Sequence, residues 1–394
     1  MSESSKHPVI LHNKNSLTYL VIADAHQRTL HGGVQLVQCH LRSRFWILKS
    51  KNVIKTYHRK CLVCTKIAAK SKTQIMGDLP RVRVTPARPF LHSGVDFCGP
   101  YDVLMSKGRG AKTHKAYVAI FVCMSTKAVH LELVGDLTSE AFVGSFKRFV
   151  ARRGRCSHMY SDQGRNFVAA NKELADAWKT AQLELKDEVA DILSRDGTQW
   201  HFIPAYSPNF GGLWEAGVKS LKYHLKRIMT NNLTYEEMTT LICQIESCMN
   251  SRPLSPIDDT DTENIDPLTP GHFLIGEAPI TIPSPDLKDV NIHHLTRWKF
   301  TQKLLNDFWH KWQVEYLTRL QQRPKWMKPE EEFEINDVVL IKQPNLPPGK
   351  WLLGRIMKKH PGQDGATRVY SVKSGSSVTK RCITKLCPLL KYNE

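Results

Sequence analysis

No stretch of this 394-residue chain is apolar for long enough to cross a bilayer. The most apolar run of note, residues 117–123, falls far short of the roughly 20 residues that a spanning helix needs. Residues 1–15 are polar and lack the apolar segment of a secretory signal, so a reducing compartment is expected. Close cysteine pairs are scarce as well. Of ten cysteines only Cys61 and Cys64 are separated by two residues, which argues against a disulfide scaffold and leaves thiols or metal ligands. Acidic residues are in deficit: 37 against 56 Lys and Arg leave a net charge of +19. That balance favours a polyanionic partner such as nucleic acid. A membrane surface fits the same charge, but the want of a long apolar run counts against it. No internal repeat is evident, and the length predicts two to four domains.

What is present divides the chain into five stretches. Residues 1–75 read as a helical unit, with Ser16 capping a helix that ends near Leu30, before Gly32 and Gly33, and a short second helix over 34–41. Residues 76–90 carry Pro80, Pro86 and Pro89 and no period, so a linker is expected. Residues 91–250 predict strands at 92–97, 117–124 and 128–134, each rich in β-branched or aromatic residues. A helix follows, capped by Thr138 or Ser139, with Glu140 in its first turn and Phe142, Phe146, Phe149 and Val150 as its stripe. Strands at 156–161 and 199–203, helical stretches over 169–193, and helices at 213–229 and 235–250 complete an α/β unit with a mixed five-stranded sheet. Residues 251–330 form a proline-rich connector with one long helix over 292–322. Four short strand patterns in 331–394 suggest a small all-β barrel.

Three constellations carry chemistry. His26, His31, Cys61 and Cys64 have the residue types of a structural zinc site, which takes four tetrahedral nitrogen and sulfur ligands. Histidines five apart lie on different faces of an ideal helix, so His31 must fall just beyond the helix end. His7, His12, His40 and His58 lack comparable partners and are expected in solvent. Asp96 and Asp162 end strands, and Glu215 opens a helix. Taken singly, each acid reads as an ordinary surface group. Together they could hold Mg²⁺ or Mn²⁺ in a two-metal site for phosphoryl transfer. Lys219 and Lys222 share the helical face of Glu215 and fit either a solvated salt-bridged face or a grip on phosphates.

The third signal is distributed charge. Residues 40–72 hold ten Lys or Arg and no acid, and residues 338–392 hold eleven against Asp364 alone. Such clustering reads as phosphate contact that positions DNA without reading its sequence, and Arg355, Lys358 and Lys359 are candidate contacts. Trp298, Trp309 and Trp312 on the long helix read as packing rather than base stacking.

At this point the motifs resemble a known family. Ser93-Gly94-Val95-Asp96, Ser161-Asp162-Gln163-Gly164 and Ser207-Pro208-Asn209-Phe210-Gly211-Gly212-Leu213-Trp214-Glu215 look like the three acidic motifs of retroelement integrases. The His-His-Cys-Cys set resembles that family's zinc module. Leu41-Arg42-Ser43-Arg44-Phe45-Trp46-Ile47, Leu268-Thr269-Pro270-Gly271-His272-Phe273-Leu274 and Asn345-Leu346-Pro347-Pro348-Gly349-Lys350-Trp351 are similar to the Bel/Pao group of LTR retrotransposons. The likeness runs from about Lys6 to Leu389. It implies a ribonuclease H-like catalytic core over 91–250, an SH3-like DNA-binding barrel over 331–394, structural zinc and Mg²⁺ dependence. It also implies trimming of element 3′ ends, their joining to double-stranded target DNA, and work as a homo-oligomer. Lys219 and Lys222 match positions at which relatives hold element DNA. No membrane or small-molecule substrate is implied, and nuclear residence follows from the reaction.

The chain departs from the resemblance in carrying 52 residues between Asp162 and Glu215, more than typical retroviral members. The excess is attributed to an acidic helical insertion (Glu184, Asp187, Glu188, Asp191), and Glu188 is the alternative third ligand. No protease or reverse transcriptase segment precedes the module, which suggests a polyprotein fragment or a host gene derived from one. The competing functions are a catalytically silent, host-domesticated DNA-binding protein and a nuclease that hydrolyses without joining.

Overall fold

A computed structural model of the chain describes residues 7–68, 78–108, 110–183, 197–203, 212–229, 232–257, 265–282, 285, 287, 290, 295–321 and 332–389. The expected acidic insertion with Glu188, the loop over 204–211 and the start of the long helix before residue 295 lie outside the described residues. The chain divides into two compact units, Met1–Asp78 and Leu79–Glu394.

In the first unit, β1 (Val9–Leu11) is followed by α1 (Ser16–Arg28), α2 (Val34–Arg42), β2 (Phe45–Ile47), α3 (Ser50–Lys60) and α4 (Leu62–Ala68). The cap of α1 is Asn15 rather than Ser16: its side chain accepts from the Leu17 N–H at 3.0 Å. Its short carboxamide answers a helix-start donor that would otherwise go unpaired. Ile22, Val37, Leu41 and Ile54 meet Leu11 and Ile47 in a small core. The parallel pair β1 and β2 was not expected, because three-residue strands give no period to read.

The second unit opens with α5 (Arg81–Val84), a single helical turn inside the expected linker. A six-stranded sheet follows, built from β3 (His92–Leu104), β4 (Thr113–Cys123), β5 (Val129–Val134), β6 (His158–Ser161), β7 (Gln199–Phe202) and the two-residue β8 (Leu233–Thr234). Its order is β5-β4-β3-β6-β7, with β8 pairing β3 further along. The first three strands are antiparallel, whereas β6 and β7 join β3 in parallel. β3 runs seven residues past its expected end, through a register shift between Cys98 and Tyr101. Pro100 cannot donate to a ladder, so the sequence imitates a strand end where the structure has a bulge. Gly99 there has φ +139°, and a Cβ on it would lie 2.9 Å from Tyr117 Cδ1.

Helices cover both faces. α6 (Ser139–Arg153), capped by the Thr138 hydroxyl, and α7 (Arg165–Leu183) pack Phe142, Phe146, Phe149 and Phe167 against Val95 and Phe121. On the other face lie α8 (Gly212–Ile228) and α9 (Tyr235–Asn250), with Leu225 and Leu241 in one core with Val118 and Ile120, and α11 (Arg297–Leu320) packs on these two helices. Between α9 and α11 come the small pair β9 (Ser255–Pro256) and β10 (Pro267–Leu268) and the short α10 (His272–Ile275). The long helix α11 is therefore part of a layer.

Beyond it, β11 (Val338–Ile341), β12 (Leu353–Pro361), β13 (Thr367–Ser374), β14 (Ser377–Cys382) and β15 (Leu386–Pro388) form an antiparallel sheet ordered β14-β13-β12-β11-β15. Four of these strands were expected, and the three-residue β15 was too short to read. Val338, Leu340 and Cys387 pack the sheet onto Leu317 of α11.

Candidate functional site

The end of α1 builds the first site. Its cap is a Schellman arrangement, in which the His31 N–H reaches the His26 carbonyl at 2.9 Å and the Leu30 N–H reaches that of Gln27 at 2.9 Å. Leu30 and His31 carry the left-handed φ of +51° and +61°, so the residues themselves, rather than Gly32 and Gly33, take the strained conformation. Such a cap usually brings together two apolar side chains five residues apart. Here those two positions are His26 and His31, whose Nε2 and Nδ1 lie 3.0 Å apart. Histidines on different faces of a helix thus become neighbours once the chain turns.

Cys61 closes α3 and Cys64 lies in α4. Their Sγ atoms stand 3.4 Å from His31 Nδ1 and 3.3 Å from His26 Nε2 respectively, with Cys64 Sγ 3.8 Å from His31 Nδ1. All four ligand atoms fall within 4.8 Å of one another. A tetrahedron with bonds of about 2.0–2.3 Å has edges of roughly 3.3–3.8 Å, and these separations are close to them. Burial, then the charges of His31 and His58, lowers the basicity of His26, which favours the neutral, ligating imidazole. The Cys64 N–H draws the Cys61 thiol down, while burial pushes the Cys64 thiol up. His58, expected in solvent, is half-buried with its ring 5.5 Å from that of His26.

The second site lies where β6 leaves β3. The parallel register pairs His92 with His158 and Gly94 with Tyr160. The last of these pairs, Gly94 with Tyr160, lies two residues before Asp96 on one strand and two before Asp162 on the other. Asp162 follows the end of β6 and is exposed, whereas Asp96 is half-buried within β3. The Gly164 N–H donates to Asp162 Oδ1 at 3.0 Å. A Cβ on Gly164 would lie 3.1 Å from that oxygen and 2.8 Å from Asn166 Oδ1, so glycine lets the turn close around the carboxylate. The role of Gly164 was missed in the sequence reading, although its place two residues after Asp162 was visible. Beneath the acids, Phe97 stacks on Phe167 at 5.3 Å and holds the start of α7 in place.

Glu215 falls in the first turn of α8, and its side chain lies outside the described residues. That helix packs on β3, which carries Asp96, and on β4: a Cβ on Gly217 would lie 3.6 Å from Val122 Cγ2, and Val122 pairs with Gly94. Cys98, two residues after Asp96, is buried. Burial pushes its thiol up to about 12, with the Asp96 charge adding to the rise and the Lys222 charge opposing it. Lys222 therefore stands near the acid-bearing strand, and both it and Lys219 are exposed.

The other expected contacts separate. Lys358 is exposed. Lys359 is held by Glu332 and Glu334, at 3.7 and 3.4 Å. Arg355 is 3% exposed and donates to the Asn336 carbonyl. That corrects the expectation for Arg355, since a guanidinium enclosed by its own sheet cannot reach a surface phosphate. Trp309 and Trp312 are buried as packing residues, whereas Trp298 is 61% exposed. No helix among the described residues is long and apolar enough to cross a membrane.

Residues 13–70 match the model of a family described as the integrase zinc binding domain. Residues 296–389 match a family of unknown function (DUF5641), a stretch that starts at Thr296, the N-cap of α11, and takes in the C-terminal sheet. No curated protein matches the chain. Among solved structures, the simian T-cell lymphotropic virus intasome in complex with PP2A regulatory subunit B56 gamma is similar over 94% of this chain and 99% of that one, with 15% identity and a TM-score of 0.33. The first family match and the tetrad together support a structural zinc ion held by His26, His31, Cys61 and Cys64.

Proposed function

We propose that this protein is a retroelement integrase with a ribonuclease H-like core, of the kind its motifs share with Bel/Pao elements. It would trim the 3′ ends of element DNA and join them to target DNA, as a multimer acting in the nucleus. The observation that carries the reading is the parallel pairing of β3 with β6, whose last pair lies two residues before Asp96 and Asp162, in a chain whose N-terminal unit matches an integrase zinc-binding domain.

The donor set fits hard divalent cations. Carboxylates brought to about 5 Å of one another would repel by on the order of 3 kcal/mol at an effective dielectric near 20, and oxygen ligands suit Mg²⁺ or Mn²⁺. Asp96, Asp162 and Glu215 would hold the ions, which supply Lewis acidity at the phosphorus and stabilise charge on the entering and leaving oxygens. The chain's own contribution is positional. Gly164 pins the Asp162 carboxylate, while Lys222 and Lys219 offer cations beside the acid-bearing strand to hold the phosphates of the DNA. A water or a 3′-hydroxyl attacks the phosphodiester in line, a new P–O bond forms, and the leaving 3′ oxygen takes the bond electrons.

A strand-transfer assay with Mg²⁺ and element-end duplexes tests this. Asp162→Asn should cut joining by roughly a thousandfold, about 4 kcal/mol of barrier, while duplex binding persists. Equal product from both proteins rejects catalysis at this site. DNA binding with no joining by either leaves a silent DNA-binding protein, and hydrolysis without joining leaves a nuclease.

A further inference from the structure

Between them, α8 and α11 form a groove of about 750 Å³ lined by Lys219, Tyr223, Arg227, Lys311, Val314 and Arg319, with His224, His310 and Glu315 also lining it. Its walls are two stripes at helical spacing, 219/223/227 on one helix and 311/315/319 on the other. Each stripe has a cation at both ends. The single acid is already engaged, since Glu315 binds His224 Nε2 at 2.5 Å and also pairs with Arg319. The Arg227 guanidinium lies 3.3 Å over the Tyr223 ring, which keeps it flat along the groove. Both helix walls aim their charge inwards. Burial lowers the basicity of His224 and Glu315 raises it, while Lys311 and Arg319 lower it across the groove.

We infer that this groove is a second binding site for DNA, seating the phosphodiester backbone of one strand alongside Lys219, Arg227, Lys311 and Arg319. Eight residues of helix span about 12 Å, the axial rise of about three phosphates on one strand of a duplex. Four cations against one engaged carboxylate suit that spacing. The groove also continues the cationic face that begins at Lys222, so a strand held there leads towards Asp96. The inference rests on the reading of a DNA-processing protein and adds α11 to its DNA-binding surface.

The full chain, zinc-loaded, would be titrated with a fluorescent duplex over a range of salt. Removing two phosphate contacts should flatten the slope of log affinity against log salt by about 1.8. Lys311→Gln with Arg319→Gln is expected to show that change, with weaker binding at every salt concentration. Val314→Glu, which breaks no ion pair, should weaken binding in the same direction. Unchanged affinity and slope in both variants overturns the site, as does absence of duplex binding by the parent chain. Complete displacement of the duplex by micromolar nucleoside triphosphate would mark a small-polyanion pocket and also overturn it. Loss of joining in Asp162→Asn is a separate readout, so the groove and the catalytic reading fail independently.

Discussion

Single carboxylates in this protein do more than their positions in sequence suggest, and Glu237 shows how. It completes a capping box with Thr234 at the start of α9 and receives Arg297 of α11 through Nε at 2.8 Å and Nη2 at 2.5 Å. The Arg297 hydrogen bonds outweigh burial, and with the Thr234 N–H they hold the Glu237 carboxyl down at about 2. Its folded value lies below its unfolded one, so the stabilisation is fully present above the ordinary carboxylate range and is lost as pH falls towards 2. Thermal melts between pH 5 and 2 should fall more steeply for the parent chain than for Glu237→Gln, and parallel curves would refute the assignment. Glu246 is a second such case. Burial raises its carboxyl, but His130, Arg153 and the Leu131 N–H together bring it below the usual range. Neither long-range pairing was visible in the sequence, because Arg297 lies 60 residues from Glu237 and Arg153 lies 93 from Glu246.

Among the elements, α11 has the largest structural consequence. It was expected as a helix within a connector, yet it fills a layer between the helices α8 and α9 and the C-terminal sheet. Trp309 is fully buried, donates to the Leu346 carbonyl at 2.9 Å and meets the Trp351 ring at 5.0 Å. Trp351 in turn donates to Ser251 Oγ at 3.1 Å. Deleting so large a buried ring costs about 3–5 kcal/mol, so Trp309→Ala should shift chemical denaturation by that amount, read across both sheets of the unit. Exposed Trp298→Ala should change stability by less than about 0.5 kcal/mol. Similar losses from both would contradict the packing described. The helices α8 and α9, the Thr138 cap and most strand positions were readable from period and capping chemistry. The extension of β3, the strands β1, β8 and β15, and the layering of α11 were not. Bulges break the period, very short strands show none, and a helix does not declare what its buried face will meet.

The two units each carry their own core and their own chemistry. Only the first contains the tetrad, and its apolar core is small. Metal affinity there is folding free energy in large part. Chelation of zinc should therefore abolish amide protection in α1, α2 and α3 while protection in β3, β4 and β5 persists, as measured by hydrogen exchange on the full chain. Retained protection in α1 after metal removal would show that the ion is dispensable to the fold. Residue types and spacing alone determined that there is a His-His-Cys-Cys set, a group of separated acids, a basic balance and a helix-and-strand order, since these need only composition and local period. Only the tertiary structure decided that a helix cap would bring His26 onto His31, that β3 and β6 would pair in parallel just before Asp96 and Asp162, and that Arg355 would be enclosed. Those outcomes depend on which surfaces exclude water together, and contacts between distant segments set that choice.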